Sequence, residues 1–230
     1  MLAGSLPPPR SDAVSSRNLE HFYGAQSVNT QSSRESAPRA IIRTQRVLAD
    51  DWGVLTKYEL SYRRSDGGWQ DMTRETYDRG HGAVVLPYNV ERATIVLTRQ
   101  FRLPAFVTGH DDDLIEACAG LLDARDPETA IRKEAEEETG LKLGQIEKIG
   151  EFYMSPGSVT ERLHFFVAPY TGTVDTSASR GVHQEGEDIK VIEATLEEAL
   201  AMVGDGRIID AKTVMLIQHL ALRILRGRVG

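Results

Sequence analysis

Short β-rich runs fill the first half of the chain. GVLTKYELSYRR and WQDMTRETY flank the turn sequence SDGG and predict the two strands of a hairpin. GAVVLPYN and TIVLTRQF form a second pair around the polar stretch at 91–93. QIEKIGEFYM, RLHFFVAPY and EDIKVIEA add further strands. Three segments switch to helical spacing: DPETAIRKEAEEETG, TLEEALAMV and DAKTVMLIQHLALRILR. A mixed sheet between helices follows from this order. Residues 1–40 show no sustained period and are rich in serine and proline, which predicts a disordered extension.

The first helical segment carries an arrangement that needs an explanation. Asp126 reads as its N-cap, Pro127 as its first helical residue and Gly140 as its C-terminal stop. Glu134, Glu136, Glu137 and Glu138 therefore crowd into its last turns. That end of a helix carries the negative pole of the macrodipole, where anions are disfavoured. At roughly 100° per residue, Ile131 and Ala135 share an inward seam. Glu138 points to nearly the same side, and Glu134 is its i,i+4 neighbour. Glu136 falls on the far side with Arg132 and Glu128, an ordinary solvent-facing charge ladder. Clustered carboxylates beside an interior edge are costly unless compensated, and hard oxygen ligands of this kind suit Mg²⁺ or Mn²⁺.

Composition narrows the class. Of 230 residues, 40% are hydrophobic, enough for a sizeable core. The net charge of −7 argues against nonspecific binding to nucleic acid or to an anionic membrane. A phosphate-rich ligand would then need local cations. The single cysteine, Cys118, excludes an internal disulfide and suits a reducing, cytoplasmic setting. No apolar run approaches the roughly 20 residues of a membrane span.

The stretch AGLLDARDPETAIRKEAEEETGL resembles a Nudix box, the loop–helix–loop of hydrolases acting on a nucleoside diphosphate linked to another group. The family pattern is G-x5-E-x7-R-E-U-x-E-E-x-G-U. Glu134, Glu137 and Glu138 fall on its three helical acids and Leu141 on its last apolar position. Lys133 replaces the arginine, Ala135 is small, and the loop half is one residue short. With RETYDRGHGAVVLPYN, LTRQFR, LIEACAGLLD and YMSPGSVTERLHFFVA in the same order, the chain is similar to the GDP-mannose pyrophosphatase branch of the family.

The resemblance implies a Nudix fold, a mixed sheet in an α/β/α sandwich with a small N-terminal antiparallel sheet. It divides the chain into the extension at 1–40, a β-hairpin region at 41–79 for homodimerisation, and a Nudix hydrolase domain at 80–230. It implies Mg²⁺ or Mn²⁺ held by Glu134, Glu138, the carbonyl of Ala119 and the loop acid Glu187. Glu187 ligates metal, deprotonates water, or does both; Glu137 is a base, a ligand, or a support for Lys133. Substrate contacts fall on Trp52, Arg74, Glu75, Arg102, Gly120, Glu161 and Lys212. Lys212 begins the last helix, where its charge opposes the dipole, so a ligand role is favoured over a helix-stabilising one. The expected reaction is hydrolysis of GDP-mannose. The alternatives are ADP-ribose hydrolysis and a sensor that binds such a ligand without cleaving it.

Overall fold

The computed structural model describes residues 38–181 and 188–227. Nearly all of the expected extension and the loop acid Glu187 lie outside the described residues.

Strands β1 (Ala40–Asp50), β2 (Val54–Arg63) and β3 (Trp69–Asp78) form an antiparallel sheet in that order. The β2–β3 hairpin is the expected one, paired from Val54 opposite Asp78 to Arg63 opposite Trp69. Gly67 supplies the left-handed residue of its turn, at φ 88°. The hairpin has a third strand beside it. No period announces β1, because nearly all its side chains are exposed and no buried face imposes alternation.

The second sheet has eight strands among the described residues. Its path runs β10 (Ser179–Arg180), β11 (Ile189–Thr195), β5 (Thr94–Gln100), β4 (Gly82–Asn89), β9 (Arg162–Pro169), β8 (Glu147–Tyr153). Strands β4 and β9 are parallel and the other pairs antiparallel. Strands β4 and β5 touch only at Tyr88 opposite Ile95 and Asn89 opposite Thr94. Beyond that point a segment inserts between them: β6 (Leu114–Glu116) pairs with β5 and β7 (Cys118–Leu121) pairs with β4.

Strand β4 is buried on both faces, which explains its unbroken apolar run. Val84 and Leu86 pack with Ala199 of α3 (Leu196–Gly204) and with Leu216, Ile217 and Leu220 of α4 (Ala211–Leu225). Ala83 and Val85 pack on the other side with Ile131 and Ala135 of α2 (Pro127–Thr139). The expected α/β/α layering is present. A four-residue helix, α1 (Leu103–Phe106), follows β5. The small sheet is tied to the large one where Tyr77 donates to the Ser158 carbonyl at 2.8 Å and accepts from the Thr160 amide at 3.1 Å. That clasp holds the loop leading to Glu161 against the end of β3.

Candidate metal and substrate site

Helix α2 starts and stops where its sequence demands. The Asp126 carboxylate accepts from the amides of Glu128 at 3.1 Å and Thr129 at 3.0 Å. Those bonds hold its carboxyl below the usual range, the Thr129 contacts first. Gly140 closes the helix at φ 71°. Ile131 and Ala135 are fully buried, as the helical spacing predicts. Glu138 is buried with them, Glu134 is half-buried, and Glu136 and Glu137 are exposed. Arg132 donates to Glu128 at 2.9 Å, forming the outer ladder. Lys133 donates to Glu137 at 2.6 Å, and that bond raises the lysine pKa. Glu137 therefore makes the supporting pair with Lys133.

The Glu134 carboxylate lies over Gly120 of β7. A Cβ at residue 120 would come within 2.4 Å of its carboxyl carbon. Only glycine lets this acid approach the strand so closely. Ala119, next to it, pairs with Val84 in the middle of β4 and is held in the sheet. The glycine cradle thus brings Glu134 to the strand that carries the Ala119 carbonyl, and Glu138 sits one turn along. This set of hard oxygen donors fits a divalent cation of the Mg²⁺ class. The described residues contain no ready cluster of three or more His, Cys, Asp or Glu groups for a metal. The cation would take one donor from the backbone and further ones from outside these segments.

The end of α2 also meets a built-in charge. A Cβ on Gly140 would fall 2.6 Å from Nη1 of Arg180, so this guanidinium rests on the helix C-terminus. It answers the dipole directly. Arg180 is on the two-residue strand β10, too short to read from periodicity.

Arg102 and Lys212 meet on one carboxylate that the sequence reading did not single out. Arg102 Nε donates to Glu116 Oε2 at 2.6 Å, and Lys212 Nζ to Glu116 Oε1 at 2.5 Å. The Glu116 side chain is 4% exposed. Lys212 also donates to Asp210 at 2.8 Å. Asp210 caps α4 by accepting from the Thr213 amide at 3.0 Å, and Thr213 Oγ1 accepts from the Ala117 amide at 2.7 Å. Lys212 thus begins a helix against the dipole because two carboxylates hold it there. The clue to Glu116 was present: an acid inside the apolar run LIEACAG must find a cation.

Glu161 forms an ion pair with Arg79 and is buried. The Arg79 guanidinium also lies 5.8 Å from the ring centre of Trp52, which is 69% exposed in the β1–β2 turn. Trp52, Arg79 and Glu161 therefore form one row. Arg79 lines an open cavity of about 380 Å³ with His81, Leu121, Asp123, Ala124 and Arg125. Asp123 and Ala124 adopt positive φ, at 45° and 64°, where the loop bends from β7 toward α2. Arg79 was missed because DRGHG lies at a strand end without period. Arg74 and Glu75 are exposed on β3. Arg74 donates to the Thr73 carbonyl at 2.8 Å.

Two family models match the chain in tandem. Residues 39–77 match the GDP-mannose pyrophosphatase NudK N-terminal domain, and residues 78–215 match the NUDIX domain. A protein of Pectobacterium atrosepticum named GDP-mannose pyrophosphatase is 50% identical over 189 residues, 82% of this chain and 96% of that one. One of the same name from Klebsiella pneumoniae is 48% identical over 176 residues, 76% and 88% of the two chains. A solved structure, described as the crystal structure of ADP compounds hydrolase, superposes with a TM-score of 0.62 at 17% identity, covering 85% of this chain and 100% of that one. That likeness speaks for the fold. Given the tandem match and the acid-bearing helix against a glycine strand, the chain belongs to the Nudix family of hydrolases.

Proposed function

We propose that this protein hydrolyses the pyrophosphate bond of GDP-mannose, with Mg²⁺, to give GMP and mannose 1-phosphate. The observation that carries the reading is Glu134 set against the glycine cradle at Gly120, with Glu138 one turn along, within a chain 50% identical over 189 residues to a GDP-mannose pyrophosphatase. Glu134, Glu138 and the Ala119 carbonyl would hold the metal, with Glu187 completing the set or taking the proton of the attacking water. Bound there, a divalent cation would supply charge neutralisation at the diphosphate and a more acidic water. Arg102 and Lys212 supply the local cations that a chain of net charge −7 needs for a diphosphate. Glu161 orients the substrate from the clasped loop, and Gly120 contributes by admitting the Glu134 carboxylate close to β7. Trp52 offers an exposed ring for a base to stack on.

The N-terminal region, 41–79, serves as the contact with a second copy, and residues 80–230 carry the chemistry. Ile42 and Val47 on β1 and Trp69 on β3 leave apolar surface open that a homodimer would cover. Arg74 and Glu75 would then reach substrate from that sheet. No described helix is long and apolar enough to cross a membrane. A cytoplasmic setting agrees with the lone, buried cysteine.

The test offers GDP-mannose, GDP-glucose, ADP-ribose and ADP-glucose at equal low concentration with Mg²⁺, and identifies the products. Fastest release of GMP from GDP-mannose is the expected result. Faster AMP release from ADP-ribose would overturn the assignment of substrate and leave the metal chemistry standing. No product from any of them, with Mn²⁺ also tried, would sink the enzymatic reading in favour of a binding protein.

A further inference from the structure

Glu116 stands apart from the acids of α2. It lies on β6, its side chain is buried, and both of its oxygens receive a cation. The two cations come from opposite ends of the domain. Arg102 precedes the short helix α1, and Lys212 opens α4. Their exposure differs: the Arg102 side chain is 39% exposed and that of Lys212 12%. Arg102 is bound through Nε, an arrangement that commits the inner edge of the guanidinium to Glu116. That bond leaves both Nη groups to act as donors elsewhere. Lys212 divides its ammonium between Glu116 and Asp210.

From this geometry we infer that Glu116 is a positioning residue for catalysis: it aims Arg102 and Lys212 together at the diphosphate without touching substrate itself. The inference rests on the proposed substrate role of those two cations. A long arginine and a long lysine lose rotamer freedom when they grip a phosphate. One buried carboxylate that binds both beforehand removes that cost from substrate binding. It also prevents the mutual repulsion of the two cations from splaying them apart. The neighbouring backbone is fixed by the same joint. The Ala117 amide, next in sequence to Glu116, donates to Thr213, next to Lys212. The cations are therefore referenced to β7, the strand that carries Ala119 and Gly120.

The test is Glu116→Gln in the full chain, which keeps the shape and removes the charge. Tm is measured alongside kinetics on whichever diphosphosugar of the panel the parent cleaves fastest. KM is expected to rise about tenfold or more, the worth of one charge-assisted hydrogen bond. A purely structural role would lower Tm and the active fraction but leave KM unchanged, and would overturn the inference. In a Arg102→Ala, Lys212→Ala background, adding Glu116→Gln is expected to change KM less than about threefold, because acts through shared partners do not add. A full second tenfold rise there would equally overturn it. The double-alanine chain also covers the case in which Glu116→Gln folds poorly. If it folds and its KM equals the parent's, the cations do not serve substrate and the inference falls. Cleavage of ADP-ribose in preference to GDP-mannose would overturn the proposed substrate while leaving this test in force. No cleavage of any substrate in the panel would end both.

Discussion

Two regions of this molecule hold acidic side chains away from solvent, and they do so in opposite ways. Around Glu193 of β11 the fold surrounds one carboxylate with donors of its own. Arg92 Nη2 lies 2.7 Å away, the Tyr170 hydroxyl 2.6 Å and the Thr94 hydroxyl 3.0 Å. Burial pushes the Glu193 carboxyl up, but these three bonds outweigh it and hold its pKa below the usual value. On α2 the acids are arranged differently. Glu134 and Glu138 are stacked one turn apart, like charge beside like charge, at the helix end that least favours anions. The Glu193 arrangement stabilises the fold. The α2 arrangement sets two carboxylates side by side, as the cation site proposed above requires.

Substitutions that neutralise each acid should separate the two cases. The largest effect is expected from Glu138→Gln: steady-state assays should show turnover down by at least about 10²-fold, since metal stabilisation of a reacting phosphate is worth several kcal/mol. Tm is measured alongside, and a large fall in Tm would break the contrast, since the lost turnover would then reflect folding rather than the metal site. Glu193→Gln should behave in reverse, with a loss of about 2 kcal/mol in urea unfolding and unchanged kinetics. Next in size is Gly120→Ala. The new methyl displaces the Glu134 carboxylate, a flexible group, so activity should drop about tenfold while the urea midpoint barely moves.

The smallest effect is on pH. Burial lowers the pKa of His164 and of His219 below the ordinary histidine value of 6.5. The unfolded chain then takes up protons first as the solution is acidified. Stability is level above pH 6.5 and declines as pH falls through 6.5 toward the depressed folded values. The Glu193 contribution is present above its unfolded pKa of 4.5 and is lost only below it. Tm measured against pH should therefore show two separate declines. Glu193→Gln should lessen the lower one, to which Asp126 also contributes, and keep the upper.

Sequence pattern made some of this legible and left other parts hidden. Helix α2 could be read to its caps because Asp126, Pro127 and Gly140 each have a local reason to be where they are. The buried seam at Ile131 and Ala135 followed from period alone. The hairpin β2–β3 announced itself by its glycine turn. Strands β6 and β7 did not, because three- and four-residue strands are too short to establish a period. Yet they carry Glu116, Ala119 and Gly120. The partners of Arg102 and Lys212 were hidden for a related reason: their shared carboxylate lies 14 and 96 residues away, and no spacing rule spans such distances. Arg79 and Arg180 likewise find their roles only through tertiary contacts.

The joint between α4 and the β6–β7 segment also bears on the order in which the molecule assembles. The bond from the Ala117 amide to Thr213 and the ion pair of Lys212 with Glu116 each close a loop of 96 residues. Helix α2 and the β2–β3 hairpin need only neighbours in sequence and can form early. Contacts so distant along the chain come late, because the entropy of closing the loop is lost before the contact is gained. A folding intermediate can therefore possess the acid-bearing helix and still be inert. With Lys212 in its proposed role, competence to act on a diphosphate would arrive with the docking of α4, and the reactive centre would report that folding is complete.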